Sequence, residues 1–275
     1  MEWSKLKTII LLMLAGVNLF LLVLVGLRAG RGAFYEDETR QAAVQVLEQG
    51  GIAFGLERVP DDIRLPALSL TRDRDSEGTV AGILLGQVTQ ITEEGGVRPR
   101  YVGENGTAEF SMNGSFTIAL TGENWTCPPG QDIGQASRDC LEQMGFQAGE
   151  EELFTQGDTT WATYCQMWEG APVFSCQVSL TWSGSVLTQV EGSRLSGESA
   201  ADSSSTLLST PTVLMRFLAG VSQNGYICSQ IRSMEDGYLA SGSTRSVQLT
   251  PVWRISTDTG DYFVDAVTGT VTPDI

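Results

Sequence analysis

The sequence predicts an α+β protein, in which an N-terminal transmembrane helix precedes two subdomains that each combine a helix with an antiparallel sheet. Three observations predict this class: an apolar stretch without charge, a helical pattern that occurs twice, and alternating strand-like segments after each predicted helix. The expected segments are a cytoplasmic tail over 1–7, an anchor over 8–27, a first subdomain over 36–125 and a second over 130–275.

The stretch from Thr8 to Leu27 has the length of a membrane span. About 20 residues at about 1.5 Å each cover about 30 Å, the thickness of the hydrocarbon core. A cleaved signal peptide is the alternative, but its apolar region is shorter and its cleavage site prefers small neutral residues. Here Arg28 and Arg31 follow the stretch. The sequence therefore predicts an uncleaved single-pass anchor.

Charged and aromatic residues beside the span are expected to set its depth in the bilayer. Trp3, Lys5 and Lys7 precede it, and Arg28 and Arg31 follow it. The positive charges on the two sides are therefore nearly balanced, and they do not decide the orientation alone. The short N-terminal tail favours a cytoplasmic N-terminus and an extracytoplasmic C-terminal domain.

Asn18 lies near the middle of the span, where its amide has no water to bond. It either bonds a neighbouring transmembrane helix, a contact worth about 0.6–2 kcal/mol, or is tolerated while bonding its own helix. Gly16 would allow a partner helix to approach closely. Gly16 and Asn18 are therefore the candidates for an interface within the membrane.

The composition excludes several classes of function. The chain has 17 basic and 33 acidic residues, a net charge of −16, and both lysines precede the anchor. Such a field repels nucleic acid, and no basic stripe interrupts it. The sequence has no histidine, which removes His-dependent triads, His-ligated zinc and His acid–base catalysis. We expect no enzymatic activity, no cofactor and no bound metal.

The five cysteines all follow the anchor, and two of them flank a predicted hairpin. Cys165 and Cys176 stand on either side of a turn expected at Gly170 and Ala171. If the strands pair around this turn, the two side chains face each other at disulfide distance. The alternative is two free thiols on a half-buried sheet.

The segment 42–52 resembles the segment 136–146, and both have apolar residues at helical spacing. The residues that recur are Leu47, Glu48, Gln49 and Gly51 in the first segment and Leu141, Glu142, Gln143 and Gly145 in the second. In each segment the glycine is expected to cap the end of the helix. Strand-like segments follow over 82–91 and 114–120 after the first helix, and over 160–164 and 173–182 after the second.

Three further elements are predicted in the remainder of the chain. Residues 127–130 are a turn or linker, and residues 197–205 are an exposed loop. A third helix begins at Thr210-Pro211, with Thr210 as the N-cap, and ends near Gly225. The C-terminus is expected to form a hairpin of strands 249–256 and 261–266 with one buried face.

Both ends of the chain and one hairpin resemble a known family. The start Met-Glu-Trp-Ser-Lys, which runs directly into a span with Asn18, resembles the YycI type of the YycH/YycI regulators. The C-terminal segment 251–269 and the hairpin 168–174 are similar to the same family and to the related PepSY-like modules.

This resemblance implies two PepSY-like subdomains and a non-enzymatic accessory protein of the cell membrane, with its N-terminus in the cytoplasm. Such proteins act on a WalK-type (YycG) sensor histidine kinase that controls cell-wall metabolism, and a YycH-like protein is a further candidate partner. The contacts are expected among transmembrane helices and extracellular domains. The alternative function is a PepSY-like inhibitor or chaperone of a secreted peptidase or cell-wall hydrolase, which covers sheet edges.

Overall fold

The computed structural model describes residues 37–92, 99–202, 205–242 and 245–274. Among the helices of these ranges, none combines the length and the hydrophobicity that a bilayer crossing requires. The predicted anchor and the residues proposed around it lie outside the described residues. These residues are Trp3, Lys5, Lys7, Gly16, Asn18, Arg28 and Arg31.

The described residues form an α+β structure in which 14 strands belong to one hydrogen-bonded sheet. The helices are α1 (37–49), α2 (Glu77–Leu85), α3 (Ile133–Gln143) and α4 (Thr210–Asn224), with a single 3₁₀ turn at Leu56–Arg58. The strands are β1 (Ala67–Arg72), β2 (Val88–Thr92), β3 (Pro99–Gly103), β4 (Gly106–Phe110), β5 (Ser115–Leu120), β6 (Ala148–Gln156), β7 (Thr159–Trp168), β8 (Ala171–Ser183), β9 (Val186–Ser193), β10 (Gly197–Asp202), β11 (Ile231–Gly242), β12 (Ser246–Thr257), β13 (Asp261–Asp265) and β14 (Val271–Pro273). The α+β class is therefore confirmed.

The sheet branches rather than following one line. Its main path runs in the order β10, β1, β12, β11, β8, β9, β5, β4, β3, β2. From this path β12 also pairs with β13, which pairs with β14, and β8 also pairs with β7, which pairs with β6. The pairing of β11 with β8 is parallel, and the other pairings between these strands are antiparallel.

Two large hydrophobic clusters hold the helices on the sheet. In the first, α2 and α3 pack with strands β3 to β5 and β7 to β9, where Leu84, Ile118 and Leu141 are fully buried. In the second, α1 packs with α4 and the C-terminal strands, where Leu47 and Phe217 are fully buried. Each cluster contains residues of both predicted subdomains, 36–125 and 130–275.

The recurring segments end their helices in the same way. The N–H of Ile52 donates to the carbonyl of Leu47 at 3.0 Å, and the N–H of Phe146 donates to the carbonyl of Leu141 at 2.9 Å. The glycine before each donor has a positive φ, +85° in the first segment and +71° in the second. This is the hydrogen-bond pattern of a Schellman motif, which glycine allows without steric cost. The predicted C-caps are confirmed.

Helix α4 agrees with its prediction except at its cap. It begins at Thr210 and its N-cap is Ser209, one residue earlier than expected. The N–H of Thr210 donates instead to the carboxylate of Asp62, at 2.7 Å. The helix ends at Gly225, whose φ of +69° is left-handed as the prediction requires.

The prediction of a strand over 82–91 is wrong for its first half. Residues as far as Leu85 belong to α2, and the strand begins only at Val88. The buried residues Val80, Ala81, Leu84 and Leu85 recur with a helical period, and four apolar residues in a short run do not distinguish helix from strand.

The segment predicted as the loop 197–205 contains an edge strand. Residues Gly197–Asp202 form β10 and pair along their whole length with β1. The strand is mostly exposed and rich in small residues, so its own sequence carries little strand signal. Pairing with β1 supplies the stabilisation that its side chains do not.

The C-terminal hairpin forms as predicted, but both of its faces are covered. Tyr262 and Val264 pack in the cluster with α4. Phe263, on the other face, is 7% exposed and its ring lies 5.4 Å from that of Phe174. The expectation of one buried face is therefore wrong.

Asp258, in the turn after β12, fastens this hairpin to the segment before β11. Its carboxylate accepts from the N–H and the hydroxyl of Ser229, at 3.0 and 2.6 Å, and from the N–H of Gln230 at 3.2 Å. The bonds from Ser229 are the main reason that the pKa of Asp258 is lowered to about 2.

We predict that Asp258→Ala lowers the free energy of unfolding at neutral pH and that this loss disappears in acid. The folded-state pKa lies below the ordinary value of 3.8. The stabilisation is therefore fully present above that ordinary value and is lost as the pH falls through about 2. Urea unfolding of both proteins across this range measures the difference, and a difference that does not change with pH would contradict the assignment.

Candidate protein-binding edge

The outer edge of β6 is the candidate site for a partner. β6 pairs with β7 on one side and with no described strand on the other. Its adjacent residues Leu153 and Phe154 are 52% and 62% exposed. Since neighbouring side chains of a strand point to opposite faces, the edge presents an apolar side chain on each face of the sheet.

Only the beginning of this edge is covered by another element. Arg138 of α3 donates from Nη1 to the carbonyls of Ala148 and Gly149, at 3.5 and 3.3 Å. Its Nη2 lies 3.4 Å from the carboxylate of Glu151. Residues 152–156 are all exposed, so the remainder of the edge is open to solvent.

Tyr164 of β7 fixes the covered part of the edge. Its hydroxyl lies 2.7 Å from the carbonyl of Gly134 in α3 and 2.8 Å from the carboxylate of Glu151 in β6. Burial, followed by the hydrogen bond with Glu151, raises the pKa of Tyr164 well above its ordinary range. The hydroxyl therefore stays neutral and serves as a donor that ties the start of β6 to the helix.

The open part of the edge lacks the features that usually protect an edge strand. Phe154 lies opposite Trp161 in the register, and their rings are 5.6 Å apart. The segment Leu153–Gln156 contains no charge and no proline, and the irregularity of β6 lies earlier, between Ala148 and Glu151. An exposed apolar edge of this kind is a template for an added strand.

Acidic side chains flank the open edge. Glu150 is held by Arg254 at 2.7 Å, and the same guanidinium binds Glu235 at 2.6 Å. Glu152 and Asp158, at the two ends of the open segment, make no ion pair within the described residues. Their charges favour a partner with basic residues beside its apolar ones.

Of the two alternatives for Cys165 and Cys176, a disulfide or two free thiols, the structure has the free thiols. The register pairs Cys165 with Gln177 and the next residue of β7 with Val173, so Cys176 falls in an unpaired insertion of β8. Cys176 packs in the cluster of Leu70. Cys165 instead lies half-buried in the pocket beside Arg254.

We predict that the denatured, non-reduced protein takes up an alkyl group on each of its five cysteines, because all five are free. In the folded protein Cys140 and Cys176 should react slowly. Burial raises the pKa of both thiols, that of Cys140 to about 12, and the thiolate is the reactive form. Intact mass spectrometry measures the number of adducts, and a species that lacks two adducts until it is reduced would contradict the free pair.

The site that the structure presents differs from the site residues chosen from the sequence. Those in the span lie outside the described residues, so the membrane interface stays a prediction. Leu153 and Phe154 were not chosen, although two apolar residues in an otherwise polar strand were an available signal. No three Cys, Asp or Glu side chains in the described part of the chain are placed to hold a metal ion.

Comparison with known proteins gives limited information. No family model matches the chain, and no curated protein matches it. Among solved structures, the Bacillus megaterium YpeB C-terminal domain is similar, with 12% sequence identity and a TM-score of 0.39, over 74% of this chain and 98% of that one. An identity and a TM-score this low do not establish a shared activity.

Proposed function

We propose that this protein is a membrane-anchored, non-enzymatic accessory regulator of a sensor histidine kinase that controls cell-wall metabolism. In this proposal the span over 8–27 holds the protein in the cell membrane with its N-terminus in the cytoplasm. PepSY-like subdomains lie outside and bind a partner at the open edge of β6. The kinase as partner rests on the resemblance of the N-terminal segment to YycI, and the binding role rests on the edge.

The observation that carries the binding role is the exposed apolar edge at Leu153 and Phe154. An extended segment added beside β6 would pair with its free N–H and C=O groups. It would also cover both side chains, each worth about 1.5–3 kcal/mol when fully buried and less here because both are already partly covered.

The geometry specifies the kind of segment that fits. It is extended, has apolar residues that alternate between the two faces, and carries Lys or Arg at its ends, where Glu152 and Asp158 lie. The net charge of −16 would attract such a segment over a longer range. Covering an edge is also the binding mode of the second candidate function, an inhibitor or chaperone of a secreted peptidase or cell-wall hydrolase.

The two candidates differ in their need for the native span. We predict that replacing Thr8–Leu27 with an unrelated span abolishes recovery of a sensor histidine kinase in an in-membrane crosslinking experiment read by mass spectrometry. A regulator acts through its own transmembrane contacts, whereas an inhibitor needs only to be localised. Recovery of a secreted peptidase or hydrolase, unaffected by the exchange, would establish the second candidate instead.

Within the span, Asn18→Leu is expected to weaken association with the partner by about 0.6–2 kcal/mol, because it removes an interhelical hydrogen bond. The conservative apolar change Leu12→Ile is the matched control. Crosslinking yield in membranes measures the effect, while circular dichroism should show an unchanged soluble domain. An unchanged yield would remove Asn18 from the interface.

At the edge, the double change of Leu153→Lys and Phe154→Lys is expected to weaken partner binding by about tenfold or more, since hot-spot losses exceed about 1.4 kcal/mol. Ile227 is 80% exposed in the loop after α4, so the control Ile227→Lys places one lysine on an exposed apolar residue away from the edge. A pull-down with the native span intact measures how much partner is recovered by the unsubstituted protein, the double variant and the Ile227→Lys control. Equal recovery of all three would show that the edge is not the binding surface.

A further inference from the structure

A pocket at the ends of β1 and β9 gathers three arginines in this acidic protein. Arg72, Arg74 and Arg194 line it together with the carboxylates of Asp73 and Glu77. The local charge is therefore +1, although the whole chain carries −16. A site of opposite sign to the rest of the molecule is a candidate for an anionic ligand.

Three connecting segments form the pocket: the one after β1, the one between β4 and β5, and the one after β9. Hydrogen bonds join the segment after β9 to each of the other two. The N–H of Asp73 donates to the carbonyl of Ser196 at 3.0 Å, and the hydroxyl of Ser196 donates to the carbonyl of Asp73 at 2.5 Å. The N–H of Arg194 donates to the carbonyl of Gly114 at 2.9 Å. Backbone contacts between these segments thus place Arg72 and Arg194 beside each other.

Only one of the three guanidinium groups has an acidic partner. Arg74 binds Glu77 through two hydrogen bonds, at 2.8 and 3.1 Å. Within the described residues, Arg72 and Arg194 have no carboxylate within salt-bridge distance. Arg72 Nη1 donates to the carbonyl of Arg194 at 3.1 Å, and Arg194 Nη1 donates to the hydroxyl of Ser76 at 3.2 Å.

Both of these guanidinium groups are half-buried. Burial lowers the pKa of Arg72 and of Arg194, and Arg72 Nε is buried without a hydrogen-bond partner among the described residues. A desolvated cation without a counter-ion is costly in a folded protein. An anion that entered the pocket would remove part of that cost.

Gly114 makes room for the guanidinium of Arg72. A Cβ at this position would lie 1.9 Å from Arg72 Nη1, and the φ of Gly114 is +88°, a conformation that disfavours other residues. The cradle around Arg72 therefore depends on the absence of a side chain.

The shape of the site indicates how a ligand would lie. The pocket is narrow, about 20 Å³, and it adjoins an open cleft of about 520 Å³. Asp73, Arg194 and Ser196 line both spaces, and Trp168 and Gln147 line the cleft. A small anionic group at the mouth of the pocket would face its arginines while the rest of the molecule extends along the cleft.

We propose that this pocket binds the carboxylate of a peptide, with Arg72 and Arg194 as its cationic ligands. One monovalent carboxylate balances the local charge of +1, whereas a phosphate dianion would leave an excess negative charge. Guanidinium groups bind the planar carboxylate with parallel hydrogen bonds. The ring of Trp168 and the amide of Gln147 offer stacking and hydrogen bonding to the remainder of a peptide chain. This site is separate from the β6 edge and does not rest on the proposed function.

The carboxylate has two sources, a peptide C-terminus or an acidic side chain, and four probes separate them. Calorimetric titration of the full-length protein in detergent would compare acetyl-Ala-Ala-Ala-Ala with a free carboxylate, the same peptide as an amide, acetyl-Ala-Ala-Glu-Ala amide, and inorganic phosphate. We expect a carboxylate-bearing peptide to bind about tenfold or more tightly than the peptide without a carboxylate. The stronger of the two carboxylate peptides identifies the source.

Variants test whether the arginines are the ligands. Arg72→Gln and Arg194→Gln should each abolish the preference for the carboxylate, Arg194→Lys should retain part of it, and the exposed Arg232→Gln should leave it unchanged. The melting temperature of each variant is measured beside its affinity, so that lost binding is separated from lost folding. The proposal would be overturned if neither carboxylate peptide bound more tightly than the amide without a carboxylate, if Arg194→Gln left the preference unchanged, or if phosphate bound more tightly than both peptides.

Discussion

The antiparallel pairing of β1 with β12 is the contact on which the arrangement of the molecule depends. It places Leu68 opposite Leu249 and Leu70 opposite Val247, and all four side chains are buried in one cluster. Because β1 lies near the start of the described chain and β12 near its end, this pairing joins the two ends of the described chain. The other edge of β1 remains available and pairs with β10. Arg72, the last residue of β1, thereby lies next to the segment that contains Arg194.

A second constraint is the branching of the sheet at β8. This strand pairs with β7, β9 and β11, so the β6–β7 hairpin leaves the main path and ends in an edge without a neighbour among the described strands. Arg138 and Tyr164 fix the beginning of that edge against α3, and the remainder extends beyond the helix. The two surfaces proposed for binding therefore follow from the topology: the apolar edge from the branch at β8, and the arginine pocket from the junction of β1 with the segment after β9.

The sequence correctly predicted the elements whose formation depends on residues close to one another in the chain. Three helix C-termini were predicted from glycines that adopt the left-handed conformation, and the extent of α4 was predicted from helical spacing. These predictions agree with the structure at Gly51, Gly145 and Gly225. The strand over 82–91 and the loop over 197–205 were predicted incorrectly, since a short apolar run is ambiguous and the edge strand is stabilised by its partner. The sequence could not decide between a disulfide and two free thiols at Cys165 and Cys176, because an insertion of three residues in β8 moves Cys176 out of register with Cys165.

The sequence by itself determined the α+β class, the acidic charge, the absence of histidine and an N-terminal stretch with the length of a membrane span. It also determined which segments repeat, because each of these depends on composition or on neighbours within a few residues. Only the tertiary structure decided which described strands are edges, that Cys165 and Cys176 do not face each other, and which arginines of the described residues lack a carboxylate. Those properties depend on residues far apart in the chain, such as Arg72 and Arg194. Pairing of distant strands brings such residues together, and no pattern in the neighbouring sequence indicates which strands will pair.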